Sequence, residues 1–297
     1  MKTPKRIEPL IEDGLVDEVV RPLMSGKEAA VYVVRCAGQL RCAKVYKEAS
    51  KRSFRQAAEY QEGRKVRNSR QARAMAKGSK YGRKEAEQAW QNAEVTALFQ
   101  LAGAGVRVPK PYDFLDGVLL MELVMDADGD AAPRLNDVVL EAEQAREYHG
   151  FIMRQIVLML CAGLVHGDLS EFNVLLGPDG PVIIDLPQAV DAAGNNHAYS
   201  MLERDVANMT SYFARFDPAL ASTRYAQEMW ALYEVGKLLP ETPLTGRFEQ
   251  HAQDADVDAL LREIEAAKVE DARRRAARSE TEHDQAKAGE PTPPWLR

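Results

Sequence analysis

Three polar side chains interrupt an apolar stretch at residues 164–176, LVHGDLSEFNVLL, and this pattern constrains the fold more than any other feature. His166, Asp168 and Asn173 lie close together between runs of leucine and valine. Polar groups in an apolar setting cost free energy unless a partner, an ion or a ligand satisfies each one. The stretch therefore predicts that all three side chains have such partners in the folded protein.

The bulk properties favour a packed globular chain in a reducing compartment. With 297 residues, 45% of them hydrophobic, the chain is long enough for two lobes that share a substantial core. The three cysteines lack CxxC spacing, so neither a disulfide framework nor a zinc site is expected. No apolar leader or run of about 20 apolar residues occurs, which predicts a cytoplasmic protein that does not use a membrane.

The order of elements predicts an α+β fold with two lobes. Alternating apolar residues favour three antiparallel strands across residues 15–47, with a turn at Ala37-Gly38, and two more across residues 106–124, with a turn at Asp116-Gly117. A helix around residues 85–105 lies between them. A long amphipathic helix at residues 141–163, a short strand ending at Asp185 and helices from about Leu202 follow. The polar cluster then lies near the junction of a mostly β lobe and a mostly α lobe, where ligand sites are common.

These patterns give four segments. We expect an N-terminal extension at residues 1–14, a β-rich N-lobe at 15–124 with a flexible basic loop at about 59–84, and a helical C-lobe at 125–270. A charged, proline-containing tail is expected at residues 271–297.

Asp168, Asn173 and Asp185 suit phosphoryl transfer. An aspartate can orient or accept the proton of a hydroxyl, and Mg²⁺ binds through one or two hard oxygen ligands plus nucleotide phosphates. Asp168 fits the first role, and Asn173 and Asp185 fit the second. Any one of them alone would more often cap a turn, but three in this order favour catalysis.

Lys44 lies in the middle of a strand with apolar neighbours, where an inward-pointing ammonium needs an anion. Phosphate oxygens would serve, with Glu94 as an orienting carboxylate on the following helix. A solvated face for Lys44 remains the alternative. The segment SGKEAAVY has small residues suited to phosphates, but it lacks both GxGxxG and a Walker A motif, so an ordinary turn also remains open.

Together these pieces resemble the RIO family of atypical serine/threonine protein kinases, in a first-subtype form that looks bacterial. The matching motifs are SGKEAAVY, CAKVYK, LVHGDLSEFNVLL, IIDLPQAV and ERDVANMTSYF, which extend over about residues 15–213. The resemblance implies a protein-kinase-like fold, ATP as cofactor and Mg²⁺, or Mn²⁺ as an alternative, as the metal.

The resemblance also implies residue roles. Lys44 would contact the ATP phosphates and pair with Glu94, Asp168 would be the catalytic aspartate, and Asn173 and Asp185 would bind the metal. In this family the metal-binding aspartate can itself become phosphorylated in an ATPase-like cycle. Other implied residues are the phosphate-binding loop Ser25, Gly26, Lys27 and Glu28, the adenine-pairing hinge Glu122 and Val124, the pocket residue Met121, and Asp205 as a brace of the catalytic loop.

The chain also departs from ordinary protein kinases. Asp185 is followed by Leu-Pro rather than Phe-Gly, and no APE motif precedes Asp205, so an extended activation segment is not expected. The expected function is an ATP- and Mg²⁺-dependent RIO-type protein kinase that acts mainly as an ATPase switch with autophosphorylation. Two alternatives stay open: a small-molecule phosphotransferase of the aminoglycoside or choline kinase kind, and an ATP-gated RNA or ribosome assembly factor.

Residues 47–84 carry 13 lysines and arginines against three glutamates, on a chain whose net charge is −6. A solvated face is the usual explanation of such a run. Clustered cations also release counterions from phosphates, so RNA or a ribosomal particle is the candidate partner beside ATP, and the protein substrate stays unknown.

Overall fold

The structure, a computed structural model, describes residues 3–26, 29–47 and 80–248, with side chains of the helix that begins at Lys80 described from residue 91 onward. Residues up to 248 belong to one compact unit. The expected flexible loop at about residues 59–84 lies outside the described residues except for 80–84, which begin a helix. The expected boundary at residue 270 and the tail at 271–297 also lie outside them.

The N-lobe is a five-stranded antiparallel sheet in the order β1-β2-β3-β5-β4. Its strands are β1 (Glu18–Ser25), β2 (Ala29–Cys36), β3 (Gln39–Tyr46), β4 (Pro111–Leu115) and β5 (Val118–Glu122). Ala37 and Gly38 join β2 to β3 with φ of 49° and 76°. Two successive left-handed residues make the tight turn that matches strand twist, which confirms the turn predicted there.

The N-terminal residues are part of this lobe, although the sequence suggested only an extension up to residue 14. Helix α1 (Glu8–Glu12) packs Ile7 and Leu10 against one face of the sheet. These two apolar residues are three apart and therefore point to the same side of a helical turn. The sheet residues below them, including Val34, Val45 and Val118, are buried in the same cluster.

The opposite face of the sheet packs on helix α2 (Lys80–Gly103), whose Val95, Leu98 and Leu101 belong to the main core. That core continues without a break into the C-lobe. The C-lobe contains α3 (Ala142–Cys161), β6 (Leu164–Val165), β7 (Val174–Gly177), β8 (Gly180–Ile183), β9 (Val190–Asp191), α4 (Ala198–Phe213) and α5 (Tyr225–Glu234). The predicted two-lobed α+β fold is confirmed.

Two predicted boundaries move in the C-lobe. The short strand β8 ends at Ile183 rather than at Asp185, because Asp185 has a φ of 66°, outside the β region. Helix α4 starts at Ala198, four residues before the predicted Leu202. The segment from β6 to β9 forms two small antiparallel pairs, β6 with β9 and β7 with β8, which carry the polar cluster to the cleft between the lobes.

Helix α3 packs in the core of the C-lobe and buries two polar side chains, Gln155 and His149, of which His149 can titrate. Its Nε2 lies 3.0 Å from Thr210 Oγ1 on α4, and its ring contacts the rings of Phe213 and Tyr225. Burial lowers the pKa of His149 from 6.5 to about 4. The folded state therefore keeps this imidazole neutral where an unfolded chain would protonate it.

This burial predicts a pH dependence of stability. Between pH 6.5 and 4, His149 binds a proton in the unfolded chain but not in the folded protein. The free energy of unfolding therefore decreases as pH falls through that window, by about 3 kcal/mol in total. Replacing His149 with Gln removes the titration. The difference in free energy of unfolding between parent and His149→Gln, measured by urea denaturation, should shrink from pH 7 to pH 4.

The parent is compared with the His149→Gln variant because titration of Asp205 changes the free energy of unfolding in the opposite direction. Burial raises its pKa from 3.8 to about 6, so the stability it contributes is lost as pH rises from about 4 to 6. Both proteins retain Asp205, and its effect cancels in the difference. A difference that stays constant with pH would contradict the assignment to His149.

Candidate active site

A cavity of about 670 Å³ opens between the N-lobe sheet and the C-lobe. Its walls are mostly apolar, with a few polar groups that converge from both lobes, as in most small-molecule sites. The predicted site residues on its lining are Gly26, Lys44, Glu94, Met121, Glu122, Val124, Asn173 and Asp185. The cavity therefore unites residues that are spread over 160 positions of the sequence.

Lys44 is the cation at the back of the cavity. Its Nζ lies 2.5 Å from Glu94 Oε1 on α2 and 3.2 Å from Asp185 Oδ1. Cys42, Lys44 and Tyr46 share the cavity face of β3, whereas Ala43 packs in the cluster on the opposite face. The alternative that Lys44 lies on a solvated face is therefore wrong.

Lys44 and Glu94 are largely shielded from water, whereas the Asp185 side chain is 49% exposed. The Lys44 side chain is 13% exposed and that of Glu94 is 5% exposed. Burial alone would lower the pKa of Lys44, but the carboxylates of Glu94 and Asp185 outweigh it and raise that pKa. The ammonium thus stays charged at the place where an anionic ligand would approach.

Glu94 has a second anchor that the sequence did not suggest. Tyr46 Oη donates to Glu94 Oε2 at 2.8 Å, and the Tyr46 side chain is buried against Phe114. The two oxygens of Glu94 therefore receive different donors, both from β3. This arrangement fixes the orientation of α2 relative to the sheet.

Asp185 has a strained backbone. Its φ of 66° lies in the left-handed region, which a residue with a Cβ adopts at a cost of about 1–2 kcal/mol. The preceding Ile184 donates its N–H to the Asn173 carbonyl at 2.9 Å, which holds the turn in place. Such strain persists where surrounding structure enforces it and is concentrated at functional sites.

The loop that carries Asp168 is held by α4. Asp205 accepts the N–H of Gly167 and the N–H of Leu169, each at 2.8 Å, and is fully buried. Arg204 donates to the Gly167 carbonyl, and Asn208 donates to the Leu169 carbonyl at 3.0 Å. The backbone on both sides of Asp168 is therefore fixed by one helix.

His166 is a structural residue, as expected. Its Nδ1 accepts the N–H of Asp168 at 3.3 Å and its Nε2 lies 3.1 Å from the Ile184 carbonyl, so the proton resides on Nε2. The Asp168 side chain is more exposed and lies near Gln188, whose Nε2 is 3.4 Å from Asp168 Oδ2. Partial burial, with a smaller contribution from the Asp185 carboxylate, raises the pKa of Asp168.

The expected hinge lines the cavity through Met121, Glu122 and Val124. The Glu122 side chain forms two hydrogen bonds with the Arg107 guanidinium, each 2.8 Å long. Its backbone N–H donates to the Lys110 carbonyl at 2.8 Å. Despite partial burial, the hydrogen bonds from Arg107 and Lys110 lower the pKa of Glu122.

The expected phosphate-binding loop is described in part. Ser25 ends β1, and the Gly26 N–H donates to the Ala29 carbonyl at 2.9 Å, which closes the turn. Lys47 Nζ donates to Ser25 Oγ at 3.0 Å and to the Gly26 carbonyl at 2.7 Å. Lys27 and Glu28 lie outside the described residues.

The donor set at Asn173 and Asp185 fits a hard divalent cation. Asn173 Nδ2 donates to the Asp168 carbonyl at 2.9 Å, so its amide oxygen is the acceptor that remains for a metal. Within residues 3–26, 29–47 and 80–248, no group of three or more His, Cys, Asp or Glu side chains could by itself hold a metal ion. Mg²⁺ does not need one, because it binds through few protein ligands plus substrate phosphates.

The sequence motifs did not reveal the roles of five residues around the site. They are Tyr46, Arg107, Gln188, Arg204 and Asn208. Arg204 and Asn208 flank Asp205 in the motif ERDVAN, so their place on the inner face of α4 was readable in principle. Tyr46 and Arg107 carried no comparable signal, because their partners are far away in the sequence.

Comparison with known protein families decides the relationship. The sequence profile of the RIO domain matches residues 30–226, which is most of the chain and includes the lysine strand and the catalytic loop. The chain belongs to the RIO family. The resemblance seen in the sequence motifs is thereby confirmed.

Named RIO relatives are found in archaea and eukaryotes. The chain is 36% identical over 212 residues to the RIO-type serine/threonine-protein kinase Rio1 of Haloferax volcanii, covering 69% of this chain and 67% of that protein. It is 31% identical to human serine/threonine-protein kinase RIO1 and 29% identical to rio1 of Schizosaccharomyces pombe, over 72% of this chain in each case. The matched parts make up 36% and 41% of those two proteins, so this chain spans well under half of their length.

In the part of the chain that the structure describes, no helix is both long and apolar enough to cross a bilayer.

The brace on the catalytic loop generates a prediction. Asp205→Asn replaces one of two acceptor oxygens with an amine that faces a backbone N–H, so the loop around Asp168 should shift. We expect phosphoryl transfer to fall about 100-fold, while nucleotide affinity measured by calorimetry changes little.

The matched control is Glu228→Gln, because Glu228 also accepts two backbone N–H groups, those of Thr245 and Gly246, at 2.8 Å and does not line the cavity. It should lose stability without the specific loss of turnover. Equal turnover of Asp205→Asn and the parent would show that the brace has no catalytic consequence.

Proposed function

We propose that this chain is an ATP- and Mg²⁺-dependent RIO-type protein serine/threonine kinase that acts mainly as an ATPase switch, with autophosphorylation. The observation that carries the proposal is the contact of Lys44 with both Glu94 and Asp185 at the wall of the cleft cavity. Three elements that are remote in sequence converge there on one ammonium. The names of the RIO relatives support the kinase assignment over a small-molecule phosphotransferase.

ATP is proposed to lie with its adenine against the hinge. The Glu122 N–H and the Val124 carbonyl already bond to Lys110 and Ala132. The adenine edge would therefore use the carbonyl of Glu122 and the N–H of Val124, with Met121 behind the ring. Arg107 holds the Glu122 side chain away from this edge.

The phosphates are proposed to extend toward Lys44 and the loop of Ser25, Gly26, Lys27 and Glu28. Lys44 would exchange its contact with Asp185 for a phosphate oxygen while keeping Glu94. Asn173 and Asp185 would hold the divalent metal, which neutralises phosphate charge when it is bound. Mg²⁺ suits these oxygen donors, and Mn²⁺ is the alternative.

Asp168 is proposed as the residue that orients the attacking hydroxyl and accepts its proton. The brace from Asp205 holds the backbone on both sides of Asp168, and partial burial raises the pKa of the Asp168 carboxyl. General bases work best when their pKa approaches the working pH. We also propose a first-subtype assignment and a cytoplasmic location.

Substitutions at the two aspartates test this assignment. Asp185→Ala should reduce metal-dependent turnover of γ-labelled ATP to background, because a metal ligand is lost. Asp168→Asn should lower phosphoryl transfer by about 100-fold or more but leave ATP binding nearly intact, since the residue acts in the transition state. Phosphate release and protein labelling, each followed with Mg²⁺ and with EDTA, measure both effects.

Asp179→Ala is the control, because Asp179 is exposed in the turn between β7 and β8 and does not line the cavity. It should turn over ATP like the parent. Parent-like hydrolysis by Asp185→Ala would refute the metal assignment, and parent-like transfer to a hydroxyl by Asp168→Asn would refute its role as base.

The basic segment 47–84 is proposed to bind RNA or a ribosomal particle through phosphates. The support is its excess of cations on an otherwise acidic chain. For single-stranded RNA, the log–log salt slope is about −0.7 per contacted phosphate, so losing cations should flatten the slope and weaken binding to all sequences alike. Filter binding at several salt concentrations would compare the parent with a variant carrying glutamine at Arg64, Lys65, Arg67, Arg70 and Arg73.

A control variant removes five cations from the C-terminal part of the chain instead. These are Lys268, Arg273, Arg274, Arg275 and Arg278. Its salt slope should match that of the parent. Equal salt slopes for all three proteins would contradict RNA binding by the basic segment and would indicate a solvated face.

A further inference from the structure

Arg134 lies on the cavity lining, and its backbone is well anchored in the C-lobe. It pairs with Leu175 of β7 in an isolated antiparallel bridge. The next residue, Leu135, is fully buried, and its carbonyl accepts a hydrogen bond from Tyr212 Oη at 2.6 Å. The base of the Arg134 side chain is therefore held in place by the core of the C-lobe.

The guanidinium of Arg134 reaches from the C-lobe to the N-lobe. Its Nη2 lies 3.3 Å from Met24 Sδ on β1, and both residues line the cavity. Met24 directly precedes Ser25 and Gly26 of the expected phosphate-binding loop. The end of the Arg134 side chain thus lies beside the loop that is proposed to hold the phosphates.

This guanidinium contacts only a weak acceptor within the described residues. A thioether sulfur accepts hydrogen bonds weakly, whereas a guanidinium carries five N–H donors. In the part of the chain that the structure describes, no carboxylate, Asp137 included, lies within ion-pair distance of Arg134. Because the side chain is half-buried and borders the cavity, its donors are available to an anionic ligand there.

The other charges of the cavity explain why such a cation matters. On the described part of the lining, Lys44 and Arg134 are the two cationic side chains. Lys44 is already paired with both Glu94 and Asp185. An incoming triphosphate therefore meets repulsion from these two carboxylates as well as attraction from Lys44. Arg134 is the cation that can offset this repulsion.

We propose that Arg134 is a phosphate-binding residue of this cavity, which exchanges its contact with Met24 for the phosphate chain of ATP. Arginine presents paired N–H donors that match two phosphate oxygens, and such a charged contact is stronger than one with a thioether. The phosphates would then lie between this cation of the C-lobe and the N-lobe loop of Ser25 and Gly26. The inference rests on the proposed function and adds to it a residue that binds ATP from the C-lobe.

The test compares two ligands that differ by the phosphate chain. The first is adenylyl imidodiphosphate, a non-hydrolysable ATP analogue, with Mg²⁺, and the second is adenosine, measured by its displacement of that analogue. Arg134→Met keeps the apolar stem of the side chain but removes the guanidinium. We expect its affinity for the analogue to fall about tenfold or more, whereas its affinity for adenosine stays within about twofold.

Two further readouts distinguish phosphate binding from a structural role. In Arg134→Met, the affinity for the analogue should depend less on salt concentration, because a charged contact that salt screens has been lost. Arg134→Lys keeps the positive charge without the paired donors, and its affinity for the analogue should fall only about threefold. The lysine variant also tests the proposal if the methionine variant does not fold.

Arg154→Met is the matched control. Arg154 is exposed on α3, lies near the Phe151 ring and does not line the cavity. Its replacement removes the same charge from the same lobe. The affinities of this variant for both ligands, and their salt dependence, should equal those of the parent.

The outcomes separate this inference from the proposed function. A parent that does not bind the analogue, or from which adenosine does not displace it, overturns the proposed placement of ATP and this inference with it. If the parent binds both ligands, equal losses for the two in Arg134→Met, or no loss for either, overturn the inference alone. An unchanged salt dependence in Arg134→Met, or a loss in Arg134→Lys as large as that in Arg134→Met, also overturns it.

Discussion

The buried ammonium of Lys44 is the interaction on which the organisation of this protein depends. A charge with little access to water requires carboxylates, and Glu94 and Asp185 supply them from two other elements. Strand β3, helix α2 and the turn after β8 must therefore converge at one point. The cavity between the lobes is the space beside that point, so the ion pairs define the site and the relation of the lobes together.

The loop that carries Asp168 depends on a second buried charged residue, Asp205. Asp205 lies within the apolar stripe of α4, among Met201, Leu202, Val206 and Met209, and is as deeply buried as they are. A carboxylate there is stable because two backbone N–H groups of the loop reach it. The core of the C-lobe thus determines where Asp168 lies, although Asp168 itself is exposed.

The short segment from Ile184 to Gln188 contacts both Lys44 and the loop that carries Asp168. Ile184 joins the strand region to Asn173 and His166, Asp185 contacts Lys44, and Gln188 contacts Asp168. The left-handed backbone at Asp185 allows these neighbours to face different partners. One strained residue therefore lies between the contact with Lys44 and the contact with Asp168.

The lobes, the hairpin turns and the candidate site residues were predictable from the sequence, because alternation, turn chemistry and the motifs around Asp168 and Asp185 are local signals. The sequence left open whether Lys44 faces inward, since strand alternation does not say which face is covered. The covered face of β3 became evident only in the folded protein, as did the packing of α1 on the sheet. Tyr46, Arg107 and Gln188 emerged in the same way, because each acts through a partner that the chain brings near only after folding.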